Sequence, residues 1–171
     1  EIVFWSEARS GFKNSFLGKR VRQYRKINWL NEILKNHDID LCVWQMENHL
    51  ERDWTTADLL NHFSFNLKSK ESKSGQFTNH FISFRVNNKT KKFFDEFYNF
   101  SIDKKNLWLP NDYLLENYHN FVEPRWLQSL LSLSVKKNEY NLKIKIINNK
   151  DIYKRFNLLP QIYKHEKNYH F

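Results

Sequence analysis

The order of short apolar runs and longer amphipathic stretches is the feature of this chain that most restricts its fold. Four short runs have the length and composition of strands. They are Glu1–Trp5, Ile39–Trp44, Phe81–Val86 and Tyr140–Ile146. Between these runs, apolar residues recur at the spacing of helices. The helical segments are one that ends near Leu34, one after Thr55, one over Thr90–Ser101 and one after Arg125. In the third of them we expect Phe93, Phe94, Phe97 and Tyr98 to face the core. Strands separated by helices are typical of α/β proteins, so we predict a single α/β domain over residues 1–171.

The chain is long enough to bury a core, and its composition favours a folded domain. Of its 171 residues, 40% are hydrophobic and 17% aromatic, which argues against intrinsic disorder. No apolar run has the length of a membrane span. We therefore expect a cytoplasmic protein, with a possible position at the inner face of the membrane. Because the chain opens on Glu1 within a strand, we expect it to be a piece of a longer protein.

Several common kinds of site are excluded by residue counts and missing motifs. One cysteine, Cys42, cannot form an internal disulfide or a cysteine-based zinc site, and its apolar neighbours predict a buried side chain. Three glycines leave no Gly-rich phosphate loop. The sequence also has no Gly-x-Ser-x-Gly elbow and no His-Glu-x-x-His motif.

The net charge of +9 favours a polyanionic partner such as a nucleotide, a nucleic acid or an anionic membrane surface. Much of this charge lies in the run Lys13–Lys26, which fits either a solvated helix face or a surface that neutralises a diphosphate. A non-catalytic, basic nucleic-acid-binding module is therefore the alternative function. It is disfavoured because the basic residues lack a known binding fold and the aromatic residues recur at core spacing.

The stretch Trp44–Phe63 combines an apolar approach, a cluster of charges and a helix start. Thr55 is predicted to cap this helix, with Asp58 three residues later completing a capping box. Leu59, Leu60 and Phe63 would form the buried stripe of the same helix. The polar segment Lys68–Gly75 then predicts a flexible surface loop that covers a site.

Three short motifs together resemble a known family. They are the acid-Ala pair Glu7-Ala8 after the first strand, the acidic Trp-Thr motif Asp53–Asp58, and the segment Arg125–Leu133. The set resembles a group of bacterial and eukaryotic glycosyltransferase-like proteins of the GT-A type. Those proteins have Asp-Ala-Gly at a strand end, Trp-Thr-Lys-x-Asp downstream and Arg-x-Asp-Gln-Ser in a closing helix. Gln76 and Arg85 also fall where that group tends to have Gln and Arg.

The resemblance implies a GT-A-like mixed sheet with flanking helices, of which this chain would be the C-terminal portion without the upstream half that holds the nucleotide base. It implies a metal-dependent transfer of sugar from a nucleotide-sugar donor to a cell-surface glycan or lipid-linked acceptor, as in polysaccharide or lipopolysaccharide synthesis. Glu7 would hold Mg²⁺ or Mn²⁺. Arg9 and Arg125 would neutralise the charge of the phosphates. The sugar would be contacted by Asp58, Gln128, Gln76 and Trp54. Asp53 or Asp58 would be the base.

Two departures from the family pattern bear on the site, and several assignments have a structural alternative, which for Glu7 is a solvated loop charge. Glu7-Ala8-Arg9 stands in place of Asp-Ala-Gly, and Leu127 replaces the Asp of the closing motif, whose part Glu123 could take. Asp58 could be only a capping residue, Trp54 a core residue and Gln128 a residue of a helix surface.

Overall fold

A four-stranded mixed sheet forms the centre of the computed structural model, which describes residues 2–5, 29, 32–35, 38–108, 117, 119–148 and 150–151. Its strands are β1 (Ile2–Trp5), β2 (Leu41–Leu50), β3 (Gly75–Arg85) and β4 (Ile144–Ile147). They lie in the order β1-β3-β2-β4. β3 is antiparallel to both of its neighbours, whereas β4 is parallel to β2. The prediction of an α/β fold is confirmed at this level.

Five helices with full bounds flank the sheet: α1 (Glu51–Trp54), α2 (Ala57–His62), α3 (Asn88–Asp103), α4 (Lys105–Trp108) and α5 (Trp126–Lys137). Trp29 and residues 32–35 are also helical. α3 is capped by Asn87, whose side chain accepts the backbone N–H of Thr90 at 3.0 Å. The Thr90 hydroxyl in turn accepts the Asn87 N–H at 3.0 Å, which completes a capping box.

Alternation along β2 places apolar side chains on both faces of the sheet. Leu41 and Val43 belong to the larger core, in which the sheet packs against α3 and α5 through Phe93, Leu131 and Val135. Cys42 belongs to a second cluster with Leu34 and Ile147. The sheet is therefore covered on both faces, and the prediction of a buried Cys42 is confirmed. Burial raises the pKa of its thiol to about 12.

The pairing of β2 with β3 is irregular at two places, because the register shifts between Val43 and Gln45 and again between Met46 and Leu50, which pairs with Gly75. A Cβ added to Gly75 would lie 2.1 Å from the carbonyl oxygen of Met46. Only glycine permits this close approach of the two backbones. The irregularity directs the end of β2 into α1, which begins at the next residue.

Several predicted boundaries and orientations are wrong. The third strand begins at Gly75 instead of Phe81, and the last strand covers Ile144–Ile147, so Tyr140 lies outside it. Tyr98 was expected to face the core, but its side chain is 63% exposed. The segment Lys68–Gly75 does form turns at the surface, with Lys68, Lys70 and Lys73 exposed, although Ser72 is fully buried. The carbonyls of Ser72 and Ser74 accept the N–H groups of Arg52 and Glu51 at 3.0 Å, which joins the segment to α1.

Candidate functional site

The side chain of Glu51, the first residue of α1, is fully buried and lies at the centre of a polar network. Its Oε2 accepts hydrogen bonds from the Thr55 hydroxyl at 2.9 Å and from Nε2 of Gln76 at 3.1 Å. Its Oε1 accepts from the hydroxyl of Ser132 and from Nζ of Lys136. A buried carboxylate needs such partners because it has lost its hydration. Both of its oxygens have them.

Lys136 supplies the positive charge that balances Glu51. Its Nζ lies 2.8 Å from Oε1 of Glu51, and its side chain is only 6% exposed. The same ammonium donates to the carbonyl of Gly75 at 2.9 Å and lies 5.2 Å from the centre of the Phe77 ring. Burial lowers the pKa of Lys136, and the charge of Glu51 opposes that shift. The ion pair therefore joins α5 to the start of β3 and to α1.

Gln76 connects the network to α5 at a second point. Its Nε2 lies 3.0 Å from the hydroxyl of Ser129 and 3.3 Å from the carbonyl of Trp54. Its Oε1 accepts from Nε2 of Gln128 at 2.9 Å. Ser129 also donates to the Trp54 carbonyl at 2.8 Å. Gln76 and Gln128 are both buried, so the alternative that Gln128 lies on a helix surface is wrong.

Trp54, by contrast, is only partly buried and lies at the surface end of this arrangement. The guanidinium carbon of Arg125 lies 4.4 Å from the centre of the Trp54 ring, within cation–π distance. The ring of His49 lies 5.1 Å from that of Trp54 and is tilted by 47°. Burial, with a smaller contribution from Arg125, lowers the pKa of His49 to about 4. His49 is thus neutral at pH 7 and adds no charge beside Arg125.

The segment before α5 is tied to α1 through the backbone. The N–H of Val122 donates to the carbonyl of Asp53 at 2.7 Å, and the N–H of Arg125 donates to that of Trp54 at 3.0 Å. These two bonds place Glu123 and Arg125 beside the acidic Trp-Thr motif. Glu123 is exposed, whereas Leu127 packs against the apolar cluster formed by α2 and α5. The position that carries Asp in the resembled family thus contributes to the core here.

The two candidate bases occupy different surroundings. The carboxylate of Asp53 lies 3.4 Å from Nε of Arg52 and is 24% exposed. Burial raises the pKa of Asp53, and Arg52 opposes this shift. Asp58 lies on the exposed side of α2. Asp53 is therefore the more desolvated of the two carboxylates.

The predicted capping box between Thr55 and Asp58 is wrong. The residue that caps α2 is Thr56, whose hydroxyl accepts the N–H of Leu59 at 3.4 Å. Thr55 is fully buried and donates its hydroxyl to Glu51 instead. The N–H of Ala57 donates to Oδ1 of Asn117 at 2.8 Å. Because Thr55 donates to the buried carboxylate of Glu51, it does not take the capping role that the local sequence predicts.

The remaining predicted site residues lie outside the described part of the chain. These are Glu7, the predicted metal ligand, and Arg9, together with the basic run Lys13–Lys26. Within the residues that the structure does describe, no three His, Cys, Asp or Glu side chains are grouped to hold a metal ion. In the same residues, no helix is long and apolar enough to cross a membrane.

Sequence reasoning missed the centre of the arrangement. Glu51, Ser132 and Lys136 carry the network, yet none of them was a candidate site residue. A signal was present in α5, where Ser129, Ser132 and Lys136 recur at helical spacing among leucines. Polar residues on the otherwise apolar side of a helix indicate buried polar partners.

In comparisons with known proteins, no protein-family model, no curated protein and no solved structure matched the chain.

Proposed function

We propose that the chain is part of a GT-A-like, metal-dependent glycosyltransferase that moves a sugar from a nucleotide-sugar donor to a cell-surface glycan or lipid-linked acceptor. The resemblance of three short motifs is the origin of this proposal. The observation that supports it is that two of those motifs are in contact. Asp53–Asp58 and Arg125–Ser129 are joined by the Trp54–Arg125 contact, by the Ser129–Trp54 hydrogen bond and by Gln76.

Trp54 and Arg125 form the part of this site that would meet the donor. The guanidinium carbon of Arg125 lies within cation–π distance of the Trp54 ring, and a guanidinium group is geometrically suited to phosphate oxygens. The contact with Trp54 would hold the long Arg125 side chain in place before the ligand arrives, which reduces the entropy lost on binding. A sugar stacked on Trp54 would use ring surface that Arg125 and His49 leave open.

Asp53 is the better candidate for the base that accepts the proton of the acceptor hydroxyl. In the reaction the acceptor oxygen forms the new glycosidic bond, the bond from the sugar to the diphosphate breaks, and the proton passes to the carboxylate. A raised pKa makes a carboxylate a stronger base, while Arg52 keeps the charged form accessible. Asp58, exposed on α2, would hydrogen-bond sugar hydroxyls.

Gln76 and Gln128 act in this proposal by positioning other residues. The resemblance implied that both contact substrate, but their amides are buried and hydrogen-bonded to protein groups. A direct bond to a sugar would require breaking those hydrogen bonds. Gln76 contacts the Trp54 carbonyl and Gln128 contacts Gln76, so the pair would hold α1 in position and, with it, the side chains of Asp53 and Trp54.

The metal in the proposal depends on residues beyond those that the structure describes. Glu7 would hold Mg²⁺ or Mn²⁺, a hard cation suited to carboxylate oxygens, and Arg9 would lie beside the phosphates. When bound, such an ion stabilises the negative charge of the departing diphosphate. The described residues provide the sugar-facing side and the base.

The experiment measures thermal stabilisation by UDP and by GDP with Mn²⁺, followed by release of nucleoside diphosphate from a panel of nucleotide sugars. We expect a shift in Tm that Glu7→Ala abolishes. Asp53→Asn should lower the rate of release at least 100-fold while leaving nucleotide binding intact. The matched control is Asp95→Asn, because Asp95 is exposed on α3 outside the site. If no nucleotide or nucleotide sugar shifts the Tm, the proposal is wrong.

A further inference from the structure

A cavity of about 150 Å³ lies between α2, α3 and α5, at the opposite end of α5 from Arg125. Its apolar lining consists of aromatic rings, which are Phe63, Phe93, Phe97, Phe100 and Tyr140. Its polar lining consists of His62, Glu96, Ser134, Lys137 and Glu139. A cavity of this volume holds one six-membered ring.

The rings meet in two groups. His62 and Phe63 lie against Phe100, with ring centres 4.8 and 5.8 Å away from it. Phe93 and Tyr140 form an edge-to-face pair with centres 6.4 Å apart. These contacts hold the rings in place and give the cavity a defined aromatic surface.

The charges at the rim favour a neutral ligand. Glu96 and Glu139 oppose an anion, while Lys137 opposes a cation. Nζ of Lys92 already lies 5.5 Å from the centre of the Tyr140 ring, which further disfavours a quaternary ammonium ion. The rim residues Glu96, Lys137 and Glu139 are exposed, so they can hydrogen-bond to a ligand that carries polar groups around its edge. A ring with C–H groups on its faces and hydroxyls around its edge satisfies both parts of the lining.

We infer that this cavity binds one sugar ring of a neutral glycan acceptor, at a distance from the position of transfer. The identity of the ligand as an acceptor rests on the proposed function. Ser134 lies nine positions after Arg125, a rise of about 14 Å along α5 and about half a turn around it. The cavity and the Trp54–Arg125 contact are therefore separate places on the protein, and the sugar in the cavity would be a different one from the sugar that accepts the transfer.

The test is ligand-observed saturation-transfer NMR on the full chain with maltotriose, cellotriose and triacetylchitotriose, without donor or metal. We expect signals from at least one of these trisaccharides, strongest for the protons of a single ring. Glu96→Gln removes a charged acceptor from the rim and should raise the Kd about tenfold. Asp95→Asn is the matched control, since Asp95 precedes Glu96 on α3 and does not line the cavity, and it should leave the Kd unchanged.

A second variant blocks the cavity by volume. Ser134 lines it, and its hydroxyl donates to the Leu130 carbonyl of the same helix at 2.9 Å, so Ser134→Met fills the space while α5 persists. The saturation-transfer signals should then disappear. The inference is overturned by the absence of signals for all three trisaccharides, by signals that survive Ser134→Met and Glu96→Gln, or by choline competing for the cavity.

Failure of this inference and failure of the proposed function are distinguishable. Glycan binding is measured without any transfer, so it does not depend on Asp53, Glu7 or a nucleotide. Sugar transfer without trisaccharide binding would contradict the cavity assignment alone. Trisaccharide binding without nucleotide binding would contradict the transferase proposal and leave a glycan-binding protein.

Discussion

Nζ of Lys136 and Oε1 of Glu51 lie 2.8 Å apart in the interior, although 85 residues separate the two in the chain. The pair connects the last turn of α5 to the first residue of α1. A buried ion pair is not in itself a source of stability, because both charges lose their hydration. Loss of one partner is costly, since the other is left as an uncompensated charge. The pair therefore fixes the relative position of the two helices.

The first prediction tests this coupling by a double-mutant cycle. Glu51→Gln should lower the free energy of unfolding by about 3–5 kcal/mol, because Lys136 then lacks its counter-charge. Glu51→Gln combined with Lys136→Met should recover at least about 1 kcal/mol of that loss. Urea denaturation measures both. Glu47→Gln, at an exposed position of β2, is the control, with an expected change below about 0.5 kcal/mol. Strictly additive effects at positions 51 and 136 would contradict the coupling.

The second prediction concerns Gly75. In Gly75→Ala the new methyl group would meet the Met46 carbonyl oxygen at 2.1 Å and its carbon at 2.7 Å, so β2 and β3 must separate. We expect a loss of about 2–4 kcal/mol in the free energy of unfolding. Ser74→Ala, one residue earlier, loses only the hydrogen bond from its hydroxyl to the Glu71 carbonyl and should cost about 1 kcal/mol. Equal stability of the two variants would show that the strands tolerate the methyl group.

The third prediction is a pH dependence that arises from His49. Because burial lowers its pKa to about 4 in the folded state, the unfolded chain binds a proton between about pH 6.5 and 4 that the folded chain does not bind. The stability contribution is fully present above pH 6.5 and is lost as the pH falls through this window. We expect about 1–2 kcal/mol, less than the full shift would give, because the ring is only partly buried.

The measurement compares urea denaturation at pH 7.0 and 4.5 for the wild type and for His49→Gln. The variant lacks the titrating group, so its stability should fall less over this interval. Asn48→Gln is the control, because Asn48 is exposed beside His49 and carries no titrating group, and its profile should match that of the wild type. Identical profiles for His49→Gln and the wild type would rule out His49 as the source.

The fourth prediction separates the charge of Arg125 from its planar shape. Arg125→Lys keeps the positive charge but loses the stacked guanidinium that lies 4.4 Å from the centre of the Trp54 ring. Under the proposed function, KM for the donor should rise about tenfold while kcat changes less than threefold. Steady-state release of nucleoside diphosphate measures both. Lys91→Ala removes an exposed charge on α3 and should change neither constant. An unchanged KM in Arg125→Lys would show that stacking does not prepare the donor site.

Local structure follows from the sequence where one periodicity dominates. The continuous apolar run Ile39–Trp44 predicted a buried strand, and the structure confirms it with Leu41, Cys42 and Val43 buried in β2. The helical spacing of Leu59 and Leu60 likewise predicted the buried side of α2. Local rules failed where two neighbouring residues could play the same part. Thr55 and Thr56 are equally good caps by type, and the choice between them depended on the burial of Glu51 and on Gln76, which lies 21 residues further along the chain.

The candidate site was predictable only in part. Trp54, Gln76, Arg125 and Gln128 were named from motifs, and the structure brings them together. The buried centre was not predicted, because a glutamate, a serine and a lysine are ordinary surface residues by composition. Whether these three side chains are buried depends on the other segments that pack around them in the fold.

The sequence by itself determined the four strands and the longer helices and the inward side of most of them, because these depend on repeats of 2 and 3.6 residues within one segment. The tertiary structure alone decided the order β1-β3-β2-β4, the contact of Gly75 with Met46 and the pairing of Glu51 with Lys136. The last two contacts join residues that are 29 and 85 positions apart. The stability of these contacts depends on the cost of removing polar groups from water and on the partners that offset this cost, and those partners come from different segments of the chain.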